Sequence, residues 1–239
     1  MSGEREGNVP LPERDAGEVE EIPLFPLNMV LFPGMMQPLH IFEERYKEMV
    51  HFCLETTTPF GIVWDRPQVG EEVEGLAAVG TSAAIVHVER LEEGRMNILA
   101  VGRSRFRILA TFQDRPYLIA RVRRFPFRVA HELRATALSN RVRDYLGTYT
   151  ALLEEVSGLE LRMGDWPSQL AAVAVLAAIA LQVPLSDKQR LLACPTVDQM
   201  LATEVNLFRR EEALLTHMQE MLRSPERLER VTFGPFSLN

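Results

Sequence analysis

Near residue 131 the spacing of apolar side chains changes from every second residue to every third or fourth, so no single layer of secondary structure can satisfy both halves of the chain. Upstream, short β-type runs broken by Pro and Gly recur at 22–25, 29–32, 37–39, 60–64, 79–91, 96–101, 105–112 and 118–122. One helix interrupts them at 43–55, where Tyr46, Met49, Val50 and Cys53 recur at three- and four-residue steps. Downstream the helical period holds. The pattern predicts an α+β fold: a mostly antiparallel β domain over 21–130 with an inserted helix, then an α-helical bundle over 131–223. Residues 1–20 mix Glu, Gly, Pro and Arg without periodicity and read as a disordered acidic tail, and 224–239 read as a C-terminal tail carrying Phe233 and Phe236.

Alternation assigns faces in the later strands. Phe106, Ile108, Ala110 and Phe112 point one way and Arg105, Arg107 and Leu109 the other; Leu118, Ala120 and Val122 oppose Ile119, Arg121 and Arg123. One face is then core and the other carries arginine. Glu92-Glu93-Gly94 reads as a hairpin turn closed by the glycine. In the second half, Asp165 reads as the N-cap of an alanine-rich helix through Leu181 with Pro167 in its first turn. Ser186 with Gln189, and Thr196 with Gln199, fit capping boxes. A last long helix, about 197–222, puts Val197, Leu201, Val205, Phe208, Leu215, Met218 and Leu222 on one stripe.

Charge is unevenly placed. Seven of the acids lie in residues 1–21 against Arg5 and Arg14, while 103–143 holds eleven arginines against Asp114 and Glu132. Such a stretch can attract phosphate or acidic polypeptide. The chain, however, uses 24 Arg and 2 Lys throughout, and the aromatic interleaving of single-strand platforms is sparse, so a solvated face is the first reading and nucleic acid is not the expected partner. Cys53 and Cys194 lack a CxxC partner and suit a reducing compartment. The N-terminal stretch has no apolar signal region, and the apolar run 170–181 is shorter than a membrane span, so the cytoplasm is the expected location.

The constellations that carry chemistry are incomplete. No Gly-Lys pair exists for a phosphate loop, and no GxGxxG follows a strand. His131-Glu132 begins like HExxH, but Ala135 stands where the second zinc ligand belongs. Gly102-Arg103-Ser104 begins like a nucleophile elbow without its closing glycine, and His87-Val88-Glu89 begins like a deaminase HxE with no PCxxC after it. The expectation is a protein with no catalytic residues, no metal and no cofactor.

The most distinctive stretch is 22–46, which includes Pro23, Pro26, Phe32-Pro33-Gly34 and the run Pro38-Leu39-His40-Ile41-Phe42-Glu43 followed by Arg45-Tyr46. Further along come Val79-Gly80-Thr81, Gly94-Arg95 with Asn97-Ile98-Leu99, Gly102 with Arg105-Phe106-Arg107-Ile108, and Lys188-Gln189-Arg190-Leu191-Leu192. Together, over about residues 21–220, these resemble the N-terminal substrate-recognition domain of ATP-dependent Lon proteases in its stand-alone form. The resemblance implies a PUA-like β domain followed by a helical bundle, without the ATPase and serine–lysine protease domains.

Two functions follow as expectations. In the first, the chain is a non-catalytic polypeptide-binding or adaptor-like module whose partner is an unfolded or specific polypeptide client, with a protease or chaperone component alongside. Met35 and Met36 beside Leu39 and Phe42 are its candidate contact residues, since methionines mould to varied apolar partners; that the same methionines plug the end of the β core is the first reading of the pair. In the alternative, a PUA-like protein binds RNA through Arg105, Arg107, Arg121 and Arg123.

Overall fold

The computed structural model describes residues 18–66, 75–157 and 166–223. Six strands and five α-helices follow in the order β1 (Val19–Leu27), β2 (Met36–Ile41), α1 (Glu44–Thr56), β3 (Phe60–Trp64), β4 (Val79–Arg90), β5 (Met96–Phe112), β6 (Leu118–Arg124), α2 (Glu132–Ser157), α3 (Leu170–Ala180), α4 (Leu185–Leu192) and α5 (Val197–Arg223). This is the α+β arrangement that the change of period implies.

The sheet order is β2-β5-β4-β3-β1-β6, and β6 pairs back onto β5, so five strands close on themselves and β2 is left as an edge. Every pairing is antiparallel except β1 with β3. Closure depends on β5, a single 17-residue strand. Its first part pairs with β2 and its last part with β6, while β4 runs along both. Register shifts between Thr81 and Ala83, Ile85 and His87, and Ile108 and Ala110 supply the extra coiling that closure needs. Ile22, Leu24, Val63, Phe106, Ala120 and Val122 fill the interior.

Three sequence expectations change here. First, β5 does not break between 101 and 105; Gly102 lies within it because a Cβ there would meet the Phe32 carbonyl oxygen at 2.3 Å. Second, 29–32 is not a strand. Val30, Leu31 and Phe32 are buried, but as a loop: Thr81 Oγ1 donates to the Leu31 carbonyl (2.6 Å) and Met35 N to the Phe32 carbonyl (3.1 Å), while the turn that follows bonds to β5 through Gly34, Met35 and Gly102 (2.8 and 2.9 Å). Third, β1 begins at Val19, two residues inside the segment read as tail, because Glu20 and Glu21 lie across from Val122 and Arg121 on β6. Residues 1–17 of that segment, and the C-terminal tail, lie outside the described residues.

The turn at Glu92–Gly94 is tight as expected, with left-handed backbone at both Glu93 and Gly94. Helix starts fare unevenly. Thr196 Oγ1 accepts from Gln199 N (3.3 Å) ahead of α5. Ser186, by contrast, lies within α4, whose cap position is Pro184, and α3 starts at Leu170, past Pro167; Asp165 falls outside the described residues. Along α5, Val197, Leu201, Val205 and Phe208 are buried, whereas Met218 is half exposed.

The bundle joins the β domain through one apolar cluster to which the β side contributes Val30, Phe32 and Val79. A second cluster seats α1, through Tyr46, Met49, Val50 and Cys53, on the sheet. Asp198, near the start of α5, holds the chain leading into α2 by accepting from the amides of Ala130 and His131 (2.8 and 2.9 Å). No helix among the described residues is long and apolar enough to cross a membrane.

Candidate functional site

The four apolar candidates separate across β2 because side chains alternate along a strand. Leu39 turns inward against the α1 cluster, and Met35 packs at the junction of that cluster with the bundle. Met36 and Phe42 turn outward and are 64% and 60% exposed. With Pro38 and His40 between them, they form an outward strip spanning about 20 Å at ~3.3 Å per residue. Of the methionine pair, Met35 packs into the interior and Met36 lies in solvent.

Hydrogen bonds fix that strip. Asn97 Nδ2 donates to Glu89 Oε2 (2.8 Å), which turns Asn97 Oδ1 toward His40; His40 Nδ1 donates to it at 2.7 Å. The His40 ring then stacks on Phe42 with centroids 5.9 Å apart. The strand edge itself is blunted. Pro38 has no N–H, and Gln37 Nε2 donates to the Pro38 carbonyl (3.0 Å), so a further strand gains little by pairing here. What β2 offers is its apolar face.

A second feature lies where the β domain meets the bundle. The turn at Pro33 and Gly34, with Phe127, faces one side of α3 across a groove of about 540 Å³. Gly34 has φ +82°, and the place a Cβ would take is open. The sequence signal was the unbroken apolar run of α3, of which Val173, Ala174, Ala177 and Ala178 are buried and the opposite side lines the groove.

The arginine candidates do not converge. Arg105 is a correction: it is 1% exposed, not on a solvated face, because 125–127 and the end of α4 cover that part of the strand. Its guanidinium donates to the carbonyls of Phe125 (3.1 Å), Pro126 (3.1 Å), Leu192 (2.6 Å) and Cys194 (2.9 Å). The rings of Phe125 and Phe127 lie 4.3 and 3.6 Å from its carbon. Burial lowers its pKa to about 10, which leaves it cationic at neutral pH. Arg107 is exposed and lies over Phe125 (4.1 Å). Arg121 donates to Glu21 (2.9 Å), so an acid of the leading segment neutralises it. Arg123 is exposed opposite Val19.

One buried polar group has no counterpart in the sequence reading. Glu204 on α5 is fully buried, and neither carboxylate oxygen has a hydrogen-bond partner. Burial pushes its pKa well above the usual carboxylate range, with Lys188 pulling the other way. Lys188 is drawn down to about 8 by burial and donates to the carbonyls of Ala178 and Ile179 (3.0 Å to the latter), closing the end of α3.

The family model of the ATP-dependent protease La (LON) substrate-binding domain matches residues 21–210. Among characterised proteins, the Lon protease of Roseiflexus castenholzii is 30% identical over 220 residues, which is 87% of this chain and 26% of that protein. The Lon protease of Anaeromyxobacter dehalogenans is 25% identical over 81% of this chain and 24% of its own length. The chain therefore spans about a quarter of these relatives. Among solved structures, the N-terminal domain of a Mycobacterium avium complex Lon protease superposes with TM-score 0.56 at 18% identity, covering 80% of this chain and 98% of that one. A Lon N-terminal domain protein from Xanthomonas campestris gives TM-score 0.51 at 24% identity, covering 77% and 95%.

Proposed function

Because this chain belongs to the family of ATP-dependent protease La (LON) substrate-binding domains, we propose that it recognises polypeptide and takes no part itself in making or breaking bonds. The observation that carries this reading is the outward strip of β2, where Met36 and Phe42 stay exposed on a frame held by the Asn97–His40 bond. Large apolar side chains on a rigid strand bind without a heavy ordering penalty, and an unbranched thioether fits varied partners. The client is an unfolded or locally extended polypeptide with apolar side chains. Energy and cleavage come from domains or partners outside these 239 residues, a protease or chaperone component of the cytoplasm.

The RNA alternative loses its support at particular residues: Arg105 is spent on main-chain carbonyls and Arg121 on Glu21. The test is light scattering from an unfolded model polypeptide with and without the protein. Wild type delays aggregation, and Met36→Ser/Phe42→Ser loses the delay. If the double variant protects as well as wild type, the strip is not the contact surface.

A further inference from the structure

The two partners of β4 cover different lengths of it. β5 runs beside it from Val79 to Arg90, whereas its pairing with β3 ends where Phe60 meets Ala83. Beyond that point 84–90 form, with β5 and β2, a three-stranded extension of the sheet, and the side of β4 that faces away from β5 has no neighbouring strand among the described residues. No main-chain group of 84–90 has a hydrogen bond outside the β4–β5 ladder among those residues. Since main-chain groups alternate sides along a strand, every second residue turns its N–H and C=O to the open side, over about 20 Å at ~3.3 Å per residue.

The two edges of this extension are built differently. β2 is blunted by Pro38, whereas 84–90 hold neither proline nor lysine, and the bulge at Val86 is the protection they carry. Apolar side chains flank the open edge: Val86 is 49% exposed and Leu54, on α1, is 37% exposed. At the Ala84 end, Leu54, Thr58, Pro59, Ile85 and Arg103 are among the residues lining a pocket of about 270 Å³. Arg103 is exposed and has no ion pair among the described residues.

We propose that this edge takes a short extended segment of a client polypeptide as an added strand, with one apolar side chain in the pocket beside Pro59 and an acidic residue next to it at Arg103. The unpaired amides and carbonyls of a strand are met in series by the backbone of another strand, which a helix cannot offer, and a pocket for one of its side chains then selects the sequence. A short segment fits this edge better than β4 of a second copy, because pairing two copies would set two bulges against one ladder. The inference rests on the polypeptide-binding reading above and adds a site distinct from the β2 strip.

The test is fluorescence anisotropy with the full chain and a labelled octapeptide of alternating Thr and Val with Leu-Asp at its centre, together with versions N-methylated at one residue each. Methylation removes a single donor, so affinity falls about tenfold at every second position, roughly one main-chain hydrogen bond, and holds within about twofold at the positions between. Arg103→Glu weakens the parent peptide about fivefold, as for an exposed charge pair, at an unchanged urea midpoint. A loss that does not alternate along the peptide overturns the inference, as does an Arg103→Glu variant that binds like wild type. A dimer of the protein that the peptide dissociates, seen by sedimentation, places a second copy on the edge and overturns it too. If the octapeptide does not bind while unfolded polypeptide is still protected from aggregation, the edge fails and the polypeptide reading stands; if no polypeptide of any kind binds, both fall.

Discussion

The Arg105 guanidinium on β5 donates to the carbonyl of Leu192 at the last residue of α4, 2.6 Å away and 87 residues later in the chain. That carbonyl is one of those an α-helix leaves unpaired at its C-terminus, where a cation is also favoured by the helix dipole. The sheet and the bundle are thereby joined by one residue with no carboxylate involved.

Arg105→Met therefore removes the donor to four carbonyls at once, and urea unfolding is expected to show a loss of at least about 1–3 kcal/mol, the range for leaving a buried acceptor unsatisfied. Arg105→Lys recovers little of it, since a single ammonium cannot fork to Phe125, Pro126, Leu192 and Cys194 together. An unchanged urea midpoint in both variants contradicts this role.

Alternation in β6 was legible because each inward residue, Leu118, Ala120 and Val122, meets the interior and each outward arginine meets solvent. It misled at Arg105 for a physical reason. Period tells which side of a strand a residue takes, not whether another element, here 125–127, later covers that side. The run 29–32 failed similarly: an apolar stretch looks the same whether its backbone enters a ladder or, as at the Leu31 carbonyl that Thr81 meets, is buried as a loop. Of the site, Met36 and Phe42 could be read from the motif, whereas the groove needs Gly34, Phe127 and α3 brought together from 33 to 179.

The buried Glu204 makes stability depend on pH. Its folded pKa lies above its unfolded value, so the native state holds a proton that the unfolded chain releases, and stability falls as pH rises from about 4.5 toward the folded value. Glu204→Gln keeps the shape and removes the titration, so its urea midpoint is expected to be flatter between pH 5 and 7.5 than that of wild type. Lys188 acts in the opposite sense: lowered to about 8, it makes stability rise between there and its ordinary 10.5. A wild-type midpoint that climbs from pH 5 to 7.5 contradicts the assignment to Glu204.

Two glycines separate close approach from backbone strain. Gly102→Ala forces a methyl within 2.3 Å of the Phe32 carbonyl oxygen, and the loop must shift, at about 2–3 kcal/mol as for other overpacked sites. Gly34→Ala meets no atom but keeps φ at +82°, for about 1 kcal/mol. Thermal unfolding of the two variants is expected to rank them in that order, with Gly102→Ala the lower.

Recognition of polypeptide by the outward face of β2 is measured most directly as protection of an unfolded model substrate. Wild-type protein at a few-fold molar excess is expected to delay its light scattering, and Met36→Ser/Phe42→Ser to lose that delay at an unchanged urea midpoint, since both side chains are mostly in solvent. No delay by the wild type, or equal protection by the folded double variant, contradicts the account.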